Sequence, residues 1–96
     1  MKLKVEWDKD HAVEMVVVER DSGLVESFPM DDLIDGYLGT KLWDWYSFDE
    51  KTSLVDVGID TDESEYSKEG YETLEYDIPL KDLVNQHLRK LSLEEV

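Results

Sequence analysis

Carboxylates are the residues of this sequence best placed to do chemistry, and they crowd into one stretch. From Asp60 to Asp77 there are eight acidic residues and one lysine. The stretch begins like a calcium-binding EF-hand loop, but Glu65 stands where that loop needs glycine and Tyr71 where it needs glutamate. So many carboxylates also leave no single pair that stands out as an acid–base dyad. We therefore expect no metal, no cofactor and no enzymatic activity.

Histidine and cysteine chemistry is equally sparse. The chain has two histidines and no cysteine, so a disulfide framework and thiolate chemistry are excluded. His87 falls on the apolar side of a helical pattern, which is typical of a core-edge residue with one polar tip. The sequence contains no nucleophile elbow of the kind that positions a catalytic serine.

Charge is the outlying property of the chain. Twenty-five acidic residues oppose ten basic ones in 96 residues, a formal net charge of −15. Such an excess disfavours nucleic acid and anionic lipid as direct ligands, because both are anions. Acidity also supports solubility, but a small domain needs only roughly 2–8 net charges for that purpose. The balance favours a basic protein partner.

This charge predicts a small acidic protein that inhibits a nucleic-acid-binding protein or nuclease by mimicking nucleic acid. Alternate strand residues lie about 6.6 Å apart, whereas duplex DNA carries one charge per about 1.7 Å of axis. Several acidic elements must therefore act together. Anti-restriction, anti-CRISPR and nuclease-immunity proteins of phages and bacteria resemble this chain in size and acidity. The candidate partner-binding carboxylates are Asp60, Asp62, Glu63, Glu65, Glu69, Glu72, Glu75 and Asp77.

An aromatic segment, 41–48, supports a different function. Alternation along it places Trp43 and Trp45 on one side and Tyr46 with Phe48 on the other. Both sides are apolar, which is typical of a strand buried between layers. Exposed tryptophans would instead anchor an interface. The alternative function is therefore a structural or regulatory interaction module, in which this strand or a sheet edge binds a partner or a second copy.

An internal repeat organises the chain. Phe28–Leu38 aligns without gaps on Ile78–Leu88, fifty residues later, with four of eleven positions identical. Pro29 and Pro79 each mark a helix start, because proline is tolerated where the first N–H would be unpaired anyway. Apolar residues at helical spacing follow each proline and predict one buried stripe per helix.

These patterns predict one α+β domain over residues 1–96. We expect an antiparallel sheet of about six strands, with helices at Pro29–Leu38 and Pro79–Leu91. The repeats span 1–39 and 51–91 and are linked by the strand 41–48. An acidic loop, 60–70, replaces the middle strand of the first repeat, and Gly58 is typical of a bulge.

The start of the chain alternates polar and apolar residues, which is typical of a strand and not of a signal peptide. No apolar run approaches the length that spans a bilayer. We therefore expect a cytoplasmic protein without a membrane partner.

Overall fold

A three-stranded meander followed directly by a helix occurs twice along the chain. The structure, a computed structural model, describes residues 1–10, 12–39, 43–60 and 73–96. The first unit contains β1 (Lys2–Asp8), β2 (Val13–Glu19), β3 (Val25–Pro29) and α1 (Met30–Leu38). The second contains β4 (Trp45–Asp49), β5 (Leu54–Asp60), β6 (Thr73–Pro79) and α2 (Leu80–Lys90).

The strands form two separate antiparallel sheets. Sheet A has the order β1-β2-β3 and sheet B the order β4-β5-β6. The predicted α+β class and both predicted helices are confirmed. The expected single sheet of about six strands is wrong, since there are two sheets of three. Helix α1 follows β3 directly. The chain therefore leaves sheet A at its edge strand, and β4 begins the second sheet.

Strand pairing shows which strands of the two units are equivalent. Pro29 pairs with Met15 at the end of β3, and Pro79 pairs with Leu54 at the end of β6. This makes β5 the equivalent of β2 and β4 the equivalent of β1. The aromatic strand therefore belongs to the second sheet and does not merely link two repeats. The predicted acidic loop, 60–70, lies outside the described residues except for Asp60, which ends β5.

Proline sets the start of both helices. Pro29 and Pro79 precede the first helical residue with φ of −61° and −58°, and no side chain caps either helix. The fixed φ of proline suits this position, and its missing N–H is not needed there. At the other end of α1, Gly39 has φ of 70° and its N–H donates to the Asp35 carbonyl at 3.0 Å. A glycine tolerates this left-handed backbone without a steric cost.

One hydrophobic core is shared by both units. Each sheet contributes its inner face, and both helices contribute their apolar stripe. The fully or almost fully buried members are Val16, Val18, Met30, Leu33, Ile34, Val55, Val57, Ile78, Leu80, Leu83, Val84 and Leu88. Burial of this apolar surface is the main stabilising contribution to folding.

Polar contacts between the units reinforce the helix pair. Gly36 on α1 accepts hydrogen bonds at its carbonyl from Lys90 Nζ at 2.8 Å and Gln86 Nε2 at 3.4 Å. A Cβ on Gly36 would lie 3.2 Å from that ammonium nitrogen, so the glycine leaves room for the end of the Lys90 side chain. The rings of Phe28 and His87 meet edge to face across the units, with centroids 4.7 Å apart.

The buried leucines of the two helices should contribute strongly to stability. Leu33 and Leu83 are 1% and 0% exposed, so truncation of either leaves a cavity in the shared core. Leu33→Ala and Leu83→Ala should each lower the free energy of unfolding by about 2–5 kcal/mol. Chemical denaturation measures this loss. Leu24→Ala serves as the control, because Leu24 is 57% exposed and its removal should cost little. A small loss in either core variant would show that its helix is not docked.

Candidate functional site

The outer face of sheet B carries the predicted site. Strand alternation turns Val55, Val57 and Ile59 of β5 into the core, where they are buried. The residues between them, with their cross-strand partners, point the other way. We call this surface the acidic face and define it by Trp45, Ser47, Asp49, Asp56, Gly58, Glu75 and Asp77. None of the described outward positions of β4, β5 and β6 is a lysine or an arginine.

Trp45 lies flat across a glycine. It pairs with Gly58 of β5, and a Cβ built on that glycine would lie 2.1 Å from a carbon of the indole ring. No real side chain tolerates that separation, so the indole occupies the space that a side chain at 58 would need. The pairing on both sides of Gly58 is continuous, so the expected bulge is absent. The indole remains 39% exposed, beside the Glu75 that flanks the same glycine on β6.

Three carboxylates lie together beside this indole. Asp56 is the cross-strand partner of Asp77, one step along the sheet from Glu75. Directly opposed side chains on one face are about 4.5–5.5 Å apart. The Asp56 carboxyl is half-buried, and its Oδ1 has no hydrogen-bond partner among the described residues. Partial burial, followed by the charges of Asp77 and Glu75, raises the pKa of Asp56 above its usual value.

Trp43 belongs to a different environment. It precedes β4, is half-buried and packs against the core. Its Nε1–H donates to Asp35 Oδ1 at 2.7 Å, and its ring meets Tyr46 edge to face at 5.8 Å. Trp43 and Trp45 therefore do not share one face, contrary to simple alternation. The cause is that regular β pairing begins only at Trp45.

Tyr46 points inward from β4 and joins the two units. Its hydroxyl donates to Glu14 Oε1 of β2 at 2.5 Å. Partial burial, this hydrogen bond and the charges of Glu14 and Asp31 raise the pKa of the phenol above its usual range. Burial and the nearby charges of Asp35, Asp32 and Glu14 also raise the pKa of Asp31. Glu14 and Asp35 at this junction accept hydrogen bonds from Tyr46 and Trp43, so these two carboxylates contribute contacts within the fold.

The remaining predicted carboxylates divide into two groups. Glu75 and Asp77 are exposed on the acidic face, and Asp60 ends β5 opposite Thr73 at one end of sheet B. The other five lie outside the described residues: Asp62, Glu63, Glu65, Glu69 and Glu72. The connection that contains them leaves from β5 and returns into β6, the two strands that carry the acidic face.

Sequence reasoning missed Asp56 and Gly58 as members of the site. The alternation of β5 shows that Asp56 points outward, but only the register shows that it opposes Asp77. The same holds for Gly58, whose role depends on its pairing with Trp45. A hairpin alignment of β4 with β5, based on their inward residues, would have found both.

The equivalent face of sheet A is chemically different. Where Asp56 stands in β5, β2 has Val17, which is 6% exposed on the outer side of its sheet. Cations are present on this face as well. Lys4 Nζ lies 3.0 Å from Glu6 Oε1 and 2.9 Å from Glu19 Oε1. Among the described residues, an acidic outer face without lysine or arginine is thus found on sheet B and not on sheet A.

The described residues bring together no group of three or more His, Asp or Glu side chains placed to hold a metal ion. Within the same part of the chain, neither helix has the length and apolar content needed to span a bilayer. Comparison with known proteins gives no significant match to a protein-family model, a curated sequence or a solved structure.

The indole over Gly58 predicts an unusual penalty for adding one methyl group. Gly58→Ala should destabilise the protein by about 1–3 kcal/mol, because the indole must leave its position or the strands must separate. The same change in a Trp45→Ala background should cost nothing or stabilise, since alanine suits a strand better than glycine. Thermal unfolding of the four proteins in this double-mutant cycle measures the coupling. Additive effects would contradict the stacked arrangement.

Asp56 predicts a distinct pH dependence. A carboxyl whose pKa is higher in the folded state than its unfolded value of 3.8 destabilises the protein when ionised. That penalty is full above the raised pKa and disappears as the pH falls through it toward 3.8. Asp56→Asn should therefore stabilise the protein at pH 7, and the gain over the parent should shrink toward acidic pH.

Denaturant unfolding of both proteins between pH 7 and pH 4 measures this difference. Comparison with the parent is needed because other carboxylates act in the opposite direction. Ion pairing with Lys4 and Arg89 lowers the pKa of Glu19 and Glu95, and that stability is lost on acidification. A gain for Asp56→Asn that is independent of pH would show that Asp56 is not strained by ionisation.

Proposed function

We propose that this protein binds a basic protein partner through the acidic face of sheet B. The partner class that fits best is a nucleic-acid-binding protein or nuclease, inhibited in the cytoplasm by occupation of its nucleic-acid site. The observation that supports this most directly is the composition of the face. Trp45, Asp49, Asp56, Glu75 and Asp77 share one exposed surface, and no described outward position of that sheet is basic.

The electrostatic repulsion within the acidic face favours a role in binding. Carboxylates on neighbouring strands repel one another, and like charges directly opposed destabilise a sheet. Asp56 opposes Asp77 in this way, and its Oδ1 lacks a hydrogen-bond donor among the described residues. A basic partner would supply the missing positive charges. Association would therefore relieve a repulsion that exists in the free protein.

Trp45 adds a second type of contact to the carboxylates. Proteins that bind nucleic acid present arginine and lysine to phosphates. Those cations pair with carboxylates through strong charge-assisted hydrogen bonds, and arginine also stacks on exposed indoles. The 39% exposed indole, with Glu75 beside it, can offer both interactions to one guanidinium.

A second candidate function rests on the same tryptophan. Trp45 is an exposed aromatic residue on an edge strand, which suits a general interaction module whose contacts are mainly apolar. The two functions respond differently to salt. Binding through carboxylates weakens sharply as ionic strength rises, whereas binding through an indole does so much less.

A charge-matched pair of variants tests the proposal. Glu75→Gln with Asp77→Asn removes two negative charges from the acidic face. Glu50→Gln with Asp10→Asn removes two exposed negative charges elsewhere. The first step is affinity capture of basic proteins from bacterial lysate at low and high salt. Association rates of a captured partner with each variant are then measured, together with competition by duplex DNA.

The face variant should associate at least about tenfold more slowly than the parent at low salt. It should also show a flatter salt dependence, and the control variant should behave like the parent. Duplex DNA should compete with the parent for its partner. Equal association rates for the two variants would leave net charge alone as the cause and contradict a site on this face. A salt-independent interaction that Trp45→Ala abolishes would favour the interaction module.

A further inference from the structure

β1 differs from the other strands in its charge and in its position. It is the only one of the six described strands that carries lysine, and its sequence KLKVEWD has two positive and two negative side chains. The charged residues of the other five strands are all acidic. β1 is also an edge strand of sheet A, paired with β2 on one side and with no described strand on the other. The outer side of such an edge strand can pair with a further strand.

A cleft with an apolar floor lies beside β1. It has a volume of about 500 Å³ and is lined by the apolar residues Leu3, Val5, Phe48 and Leu80 and by the polar residues Lys4, Glu50, Ser53 and Lys81. Leu3, Lys4 and Val5 are consecutive in β1, and Leu3 and Val5 present their side chains on the same side of the strand. The cleft thus adjoins an edge strand that pairs with no described strand on its outer side, and an apolar surface from both units.

The sequence of β1 is complementary to itself in the antiparallel direction. When two copies pair about Val5, Lys2 faces Asp8, Lys4 faces Glu6, and Leu3 faces Trp7. Every charged position then meets the opposite charge, and every apolar position meets an apolar one. We propose that the protein forms a two-fold symmetric dimer by antiparallel pairing of β1 with β1 of a second copy. This joins the two A sheets into one six-stranded sheet.

Trp7 supports this register. Its side chain is 58% exposed, although it lies on the same side of β1 as the half-buried Leu3 and Val5. In the dimer, Trp7 of each copy lies directly opposite Leu3 of the other, about 4.5–5.5 Å away between Cβ atoms. Leu3 borders the apolar cleft. In this register each indole is placed next to the Leu3 end of the cleft in the second copy, where an exposed aromatic gains an apolar neighbour.

A second copy fits this edge better than a partner of different sequence. Two-fold symmetry requires a surface that complements itself, and the four charges of β1 satisfy that condition at each position. The charges of β1 also sum to zero, although the chain as a whole carries −15. Lysines on an edge strand can instead serve to block association. If the lysines only blocked association, any order of charges along β1 would serve that purpose equally well. A large exposed indole beside them would then be unfavourable.

Sedimentation of the full chain over a concentration series tests the dimer. The parent should change from a species of 11.2 kDa to one of twice that mass as concentration rises. Lys4→Glu and Glu6→Lys each place two like-charged pairs across the two-fold axis. Each should weaken dimerisation by about tenfold or more. The double variant Lys4→Glu with Glu6→Lys restores opposite charges and should dimerise within about threefold of the parent.

Trp7→Ala provides an independent measure. It should weaken the dimer by about thirtyfold or more, as the loss of a central aromatic anchor does. Because Trp7 is 58% exposed in the single chain, thermal unfolding of the monomer should change little. Two controls keep β1 itself intact. Glu19→Gln removes the ion pair between Lys4 and Glu19 within one chain, and Leu24→Ala removes an exposed apolar residue away from β1.

Both controls should dimerise like the parent. A monomer at all concentrations up to the millimolar range would overturn the proposal. A dimer that tolerates Trp7→Ala and Lys4→Glu would also overturn it, because another surface must then be responsible. Failure of the double charge exchange to restore a dimer, with its fold intact by thermal unfolding, would contradict this register.

Discussion

The core shared between the two units is the constraint on which the rest of the structure depends. Each unit has one three-stranded sheet, whose apolar face needs a cover. Helix α1 packs on β2 and β3 of its own unit, helix α2 packs on β6, and the two helices pack on each other. The buried valines of β2 and β5 therefore belong to one continuous core with both helices. The hydrogen bonds from Lys90 and Gln86 to the Gly36 carbonyl, and from Tyr46 to Glu14, also join the two units.

Because the inner faces are committed to this core, chemical differences between the units are concentrated on their outer faces. The register shows this at one pair of equivalent positions. In sheet A the cross-strand pair is Lys2 with Glu19, an ordinary surface arrangement. In sheet B the equivalent pair is Trp45 with Gly58, a stacked indole. A repeated fold thus supports one mixed surface and one surface of a single sign.

Much of the fold could be predicted from the chain because its signals are local. The prolines, the helical stripes and the alternation in β5 identify most elements within a few residues. Strand partnership could not be predicted in the same way, because hydrogen bonding between strands depends on where the chain goes after α1. An ungapped alignment on the helices cannot show which strands are equivalent, because the connection before β6 is longer than the one before β3.

The residues of the candidate site also divide into those that local sequence identifies and those that depend on strand pairing. Glu75, Asp77 and Trp45 were identified because their residue types are informative by themselves. Asp56 and Gly58 become informative only beside their cross-strand partners. Alternation along the sequence places Trp43 and Trp45 on one side, but β4 begins only at Trp45, so the alternation does not extend to Trp43. A period of two places side chains correctly only where the backbone is already paired.

The indole that lies over Gly58 also has an evolutionary consequence. A glycine within a strand is usually replaceable, but here the space above it is already filled by Trp45. Relatives that keep a tryptophan at position 45 are restricted to glycine at position 58. Relatives that lose the indole are free to place a side chain there. The two positions should therefore change together in descent, and their covariation would record whether this surface has been retained.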